Sequence, residues 1–220
     1  MYSTGRTLMN RKNRRIADFL ILFIFIPVML IFINHIVGRL IIPVLLITSY
    51  ILFKQLQKDS DFDRHSLWKG RLNKKEIKRI FFRFIPGALL LGLLTYFFLP
   101  DLFLAFPKEM PGFWLMVMIM YPLVSVYPQE LIFRTFIFHR YQSVFSGKYG
   151  MITASAVAFG MYHLFFCNWI APVLSFAGGF LFANTYARTR STAASVLEHA
   201  LWGDLIFTIG LGMYFYGGNI

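Results

Sequence analysis

Long stretches without Asp, Glu, Lys or Arg constrain this chain more than any other feature. Phe19–Gly38, Leu40–Phe53, Phe84–Pro100 and Met110–Gln129 are four such runs, and Tyr149–Ala187 stays uncharged for 39 residues. One helical crossing of a bilayer takes roughly 20 apolar residues, so the last run is long enough for two. Asn168 and Pro172 mark the turn between them. Ser191–Ile220 supplies a final helix, interrupted in its polarity by Glu198, His199 and Asp204. Composition agrees: 57% of residues are apolar and 15% charged, against about 45–50% and about 25% in soluble domains. There is too little charge to coat a water-soluble globule, and a single cysteine, Cys167, excludes an internal disulfide scaffold. The expectation is an all-α, polytopic membrane helix bundle of seven or eight helices. The stretch Glu130–Phe145 is apolar but carries Arg134, His139 and Arg140, and is read as a separate helix embedded at or near one membrane face.

The basic residues set the expected orientation. With the N-terminus in the cytoplasm, the inside segments 1–18, 54–83, 128–148 and 188–190 hold 20 of the 22 Lys and Arg, leaving Arg39 and Lys108 outside. This is the distribution that the positive-inside rule demands. It also explains the net charge of +12 without nucleic acid, whose readers concentrate charge on one groove-facing element. The bilayer itself is the partner that charge distribution implies. The chain divides into a basic N-terminus (1–18), N-terminal membrane helices (19–109) with a basic amphipathic loop (54–83), and a C-terminal bundle (110–220). Within the loop, Asn73 and Glu76 have capping-box spacing, and Ile77, Ile80, Phe81 and Phe84 recur as one face of a helix feeding the third span. Asp59, Asp61 and Asp63 alternate like calcium ligands, but Arg64 and Gly70 stand where that loop needs glycine and glutamate.

Ionisable groups inside membrane segments are costly and point to function. Three clusters stand out, all in the C-terminal half. Gln129-Glu130-Leu131-Ile132-Phe133-Arg134 places Glu130 and Arg134 four apart, on one helix face, with Gln129 rotated about 100° from Glu130. Phe159-Gly160-Met161-Tyr162-His163 puts an imidazole in an apolar span. Glu198-His199 lies on a helix opened by the small residues Ser191-Thr192-Ala193-Ala194-Ser195, which permit close helix approach. A carboxylate and an imidazole can activate water, and a second imidazole with amide donors can hold an oxyanion. The same groups also suit a structural polar network or metal ligation. Cys167 falls at a predicted turn and no serine sits in an elbow, so a covalent nucleophile is not indicated.

These clusters, in this order on apolar helices, resemble the CAAX-protease and bacteriocin-processing (CPBP, or Abi) family over roughly residues 110–205. Its members are helical intramembrane endopeptidases marked by E-E-x-x-x-R, F-x-x-x-H and H-x-x-x-N. The resemblance implies that the first motif's leading glutamate and the second motif's His activate water, while the third motif's His and Asn hold the oxyanion. This chain keeps Glu130, Arg134, Phe159, His163 and His199, but has Gln129 for the leading glutamate and Gly203 for the asparagine. Three readings follow. In a variant protease, Glu130 or Glu198 supplies the base and Gln129 donates to the oxyanion. In a hydrolytically inactive relative, the fold binds a peptide or partner protein. In a metal-dependent site, His163, His199 and a carboxylate hold a divalent ion such as zinc. The retained histidines favour a protease acting on a membrane-associated protein or peptide that arrives from the cytoplasmic leaflet. The implied location is a bacterial-type cell membrane.

Overall fold

A computed structural model describes residues 12–34, 38–68 and 70–215; residues 1–11 of the basic N-terminus lie outside them. Among the described residues there is no strand, and seven long helices follow one another: α1 (Lys12–Phe32), α2 (Gly38–Lys58), α3 (Lys74–Phe98), α4 (Pro111–Arg140), α5 (Gly147–His163), α6 (Ile170–Thr189) and α7 (Thr192–Ile209). The protein is an all-α membrane helix bundle. Six helices are long and apolar enough to cross a bilayer. The seventh, α7, carries Glu198 and His199, both buried inside the bundle. Lipid solvates the outside: Phe82 is 79% exposed and Phe98 77%, a cost in water that the hydrocarbon core removes.

The expected turn forms where Asn168 and Pro172 place it. α5 tightens through Leu164–Phe166, and Cys167 adopts a left-handed conformation (φ 54°). The Asn168 side chain then accepts from the Ala171 N–H and donates to the Tyr214 carbonyl. The basic segments gather at one end of the bundle. There His139 meets Asp59 at 2.8 Å, Arg15 donates to Ser143, and Ser191 and Thr192 donate to the carbonyls of Trp68 and Ser66. The His139 hydrogen bond holds the exposed Asp59 carboxyl below its ordinary range. Asp59 and Asp63 also cap local turns through the N–H groups of Asp61 and His65. Asn73 caps α3 as its spacing predicts, accepting from Lys75 and Glu76 N–H. Glu76 leaves the box for Arg79 and Arg188.

Met110–Gln129 and Glu130–Phe145 are not a span followed by a separate embedded helix. Residues 111–140 form one helix of 30 residues, about 45 Å long at 1.5 Å per residue. Pro122 and Pro128 do not break it. The helix widens instead, over Pro122–Val126 and again over Leu131–Phe136, where Tyr127 N–H reaches Pro122 O and Ile137 N–H reaches Ile132 O. Residues 131–138 are buried on every face, packed among α2, α5, α6 and α7. A helix enclosed in this way has protein partners for its charges and no reason to lie at an interface.

α5 and α6 approach most closely. Gly160 leaves room for the Phe176 ring, and a β-carbon on Gly179 would come within 3.1 Å of the Ala156 backbone. Overpacking such a contact costs about 1–3 kcal/mol. Gly179→Leu is therefore expected to lower the unfolding midpoint in detergent. Gly92→Leu, at a position with open space around it, leaves the midpoint in place.

Candidate functional site in the α4–α7 core

The site is assembled by four helices. Glu130 sits between the two wide turns of α4 and is fully buried. Its Oε1 lies 2.8 Å from His199 Nδ1 on α7, and its Oε2 lies 3.2 Å from Nε of Arg134, one turn further along α4. Arg134 is also fully buried. Its guanidinium lies 4.4 Å from the Phe159 ring centroid (α5) and 5.3 Å from that of Phe182 (α6). Its nitrogens have no aligned hydrogen-bond acceptor among the described residues. The charge is held by one carboxylate and two aromatic faces, an arrangement that stabilises a desolvated cation.

His199 is fixed on every side. Its ring stacks on Phe182 at 4.5 Å and 15°, and meets Phe159 edge-on at 5.3 Å. A carboxylate can only accept, so Nδ1 carries the proton toward Glu130 and Nε2 presents a lone pair. That lone pair faces the Tyr121 hydroxyl at 3.2 Å. His163 is half-buried. Its Nδ1 lies 2.8 Å from the Phe159 carbonyl, and its ring rests on Phe159 at 4.5 Å. With Nδ1 donating to that carbonyl, Nε2 is the nitrogen left for another partner. Both imidazoles thus lie against one phenylalanine, the Phe159 of the second cluster.

The remaining candidates face elsewhere. Gln129 turns away from Glu130, as helical rotation requires; its Nε2 donates to Ser125 Oγ at 2.7 Å, and its buried Oε1 has no hydrogen-bond partner among the described residues. Glu198, about 100° around α7 from His199, turns away from the Glu130 contact. Its Oε2 accepts from Thr185 Oγ1 at 2.6 Å, and its Oε1 lies 2.8 Å from Arg83. The structure therefore brings Glu130, Arg134 and His199 into direct contact, sets His163 beside them through Phe159, and separates Gln129 and Glu198 onto other partners.

Two residues of the site escape sequence reasoning. Phe182 resembles any other aromatic of an apolar span. Tyr121 is nine residues before Glu130, about two and a half turns of ideal helix, which puts it on the opposite face. The wide turn at Pro122–Val126 absorbs an extra residue and rotates the two toward each other. The Tyr121 ring occupies the space beside Gly203, where any β-carbon would overlap it.

Among the described residues no three His, Cys, Asp or Glu side chains gather as metal ligands. Glu130 is engaged by Arg134 and His199, and one nitrogen of His163 by a backbone carbonyl. As arranged, these donors are committed to protein partners.

The contact between Glu130 and Arg134 makes each the other's support. Removing one member of a buried ion pair costs about 3–5 kcal/mol, because a charge is left uncompensated. Glu130→Ala is expected to lose stability on that scale in a detergent unfolding titration, and Glu130→Gln/Arg134→Met to recover most of it.

Residues 111–203 match the family model described as "Rce1-like: Type II CAAX prenyl endopeptidase Rce1-like". The match spans α4, α5, α6 and α7 as far as Gly203, and so includes Glu130, Arg134, His163 and His199. No curated protein and no solved structure matches the chain.

Proposed function

We propose, from the similarity of residues 111–203 to the Rce1-like type II CAAX prenyl endopeptidases, that this integral membrane protein is an intramembrane endopeptidase. The observation that carries the proposal is the buried carboxylate of Glu130 bridging Arg134 and His199. A structural polar network explains a buried pair of charges. What favours catalysis over a purely structural network is that Glu130 holds one nitrogen of His199 and leaves the other with its lone pair, the arrangement of a general base beside its orienting carboxylate.

In this reading Arg134 is the counter-charge that holds Glu130 in place, and Glu130 orients His199. His199 Nε2, in place of the His163 that the family resemblance casts as the water-activating imidazole, takes a proton from water as the water oxygen bonds to the scissile carbonyl carbon. Collapse of the tetrahedral species breaks the C–N bond, and the proton passes to the leaving amine. His163 is the second imidazole of the site, its Nε2 free to bind the peptide. The Gln129 amide cannot serve as a base, but its unpartnered Oε1 can accept a peptide N–H. Glu198 has both oxygens engaged by Thr185 and Arg83, which favours Glu130 as the working carboxylate.

The substrate is a membrane-associated protein or peptide. Glu130 is ten residues from the basic end of α4, about 15 Å along the helix axis. With that end in the cytoplasm, as the positive-inside rule directs, a substrate segment reaches the carboxylate from the cytoplasmic side.

The test uses full-length protein in liposomes with a library of peptides and lipidated peptides, read by mass spectrometry. Wild type is expected to cleave, with His199→Ala and Glu130→Gln each reducing kcat/KM at least about 100-fold and His163→Ala also impaired. Cleavage unaffected by His199→Ala would sink the assignment. A loss in Glu198→Gln exceeding that in Glu130→Gln moves the carboxylate role to Glu198. Activity absent from wild type but present in Gln129→Glu assigns the natural chain to peptide binding without hydrolysis. Undiminished cleavage in a chelator is expected, and its loss restores the metal reading.

A further inference from the structure

Tyr121 lies outside all three polar clusters, yet its hydroxyl occupies the lone-pair side of the imidazole that Glu130 orients. We propose that the Tyr121 O–H is the donor that stabilises the oxyanion of peptide hydrolysis, seated in the space that Gly203 leaves open; this rests on the hydrolytic reading of the site.

Three observations carry it. The hydroxyl oxygen and His199 Nε2 are 3.2 Å apart. Two groups at that spacing can serve adjacent atoms, a carbonyl oxygen on the phenol and the attacking water on the imidazole. The ring is held rather than free, meeting Phe207 edge-on at 5.1 Å and His199 at 6.2 Å. A donor fixed before reaction needs no reorganisation when charge develops. Finally, Gly203 is bare where a β-carbon would overlap the Tyr121 ring and hydroxyl, so the phenol sits there because position 203 has no side chain. The amide of Gln129, the other neutral donor in this stretch of α4, is occupied by Ser125.

In the resting site Tyr121 donates to Nε2. When water and the substrate carbonyl enter, the hydroxyl hydrogen rotates about its C–O bond onto the carbonyl oxygen, and Nε2 is free to take the water proton. As the water oxygen bonds to carbon, the carbonyl π pair moves onto oxygen, and the phenol holds that charge without giving up its proton. Collapse returns the pair to the C=O bond and expels the amine, which takes the proton from His199. Tyr121 ends the cycle as it began.

The experiment compares wild type with Tyr121→Phe, Tyr121→Ala, Gly203→Asn and Tyr121→Ala/Gly203→Asn in the liposome cleavage assay, with unfolding midpoints measured alongside. Tyr121→Phe keeps the ring and removes the donor. It is expected to lower kcat about 100- to 1000-fold, the range for one oxyanion donor, with KM unchanged and only the small midpoint shift that loss of one hydrogen bond produces. Gly203→Asn alone displaces the phenol and loses activity. In the double variant an amide takes the vacated space, and cleavage recovers at least about tenfold over Tyr121→Ala, an effect a packing role does not produce. Wild-type kcat in Tyr121→Phe overturns the inference while leaving the endopeptidase reading intact. So does a change confined to KM, or a loss no larger than the unfolded fraction of the variant accounts for. A wild-type protein that cleaves nothing overturns both.

Discussion

A guanidinium with no access to water is the constraint around which the C-terminal half of this protein is arranged. Arg134 is completely buried and its charge cannot be left alone, since the desolvation of an isolated ion costs several kcal/mol even after relaxation. Glu130 supplies the counter-charge from one turn earlier on α4, and Phe159 and Phe182 supply π faces from α5 and α6. The other carboxylate oxygen is then free to bind His199 on α7. Four helices are thus tied to one cation. The chemistry of the site is a consequence of the same tie, because the carboxylate that neutralises Arg134 also sets the tautomer of the imidazole.

The wide turns of α4 make this geometry available. A regular helix of this length would place Tyr121 opposite Glu130. The widened segments at Pro122–Val126 and Leu131–Phe136 flank Glu130 and re-aim the side chains on either side. Wide turns of this kind inside α-helices are frequent at functional sites. Here they also let Pro122 and Pro128 sit within a continuous helix, carrying Glu130 deep into the bundle. A second polar system lies at the basic end, where Glu198, Arg83, Thr185, Arg188 and Glu76 link α3, α6 and α7. The two carboxylates therefore serve different interiors, although Glu198 is the sequence neighbour of His199.

Much of this was legible along the chain. Charge-free runs located the spans, because a hydrocarbon core admits few ions. Asn73 announced the start of α3, and Asn168 with Pro172 the hairpin of α5 and α6. Glu130 and Arg134, four residues apart, announced their own contact. What misled was polarity read locally: Arg134, His139 and Arg140 gave residues 130–145 the look of an interfacial helix. The structure makes residues up to 140 the end of α4, enclosed through residue 138, with partners supplied by elements far away in sequence.

The linear order of residues settles what depends on composition and short spacing: an all-helical membrane bundle, the end that gathers its basic residues, and which few ionisable groups are too costly to be accidental. Which of those groups meet depends on the rotation of each helix and on what packs against it, and neither is encoded within a window of a few residues. Contact between Glu130 and His199 spans 69 positions, and the seat of Tyr121 beside Gly203 needs an extra residue in one turn of α4. Only the packed bundle divides Glu198 from Glu130 and brings Tyr121 to His199, because adjacent residues on a helix diverge by about 100° while the close packing of several helices joins positions that no periodicity relates.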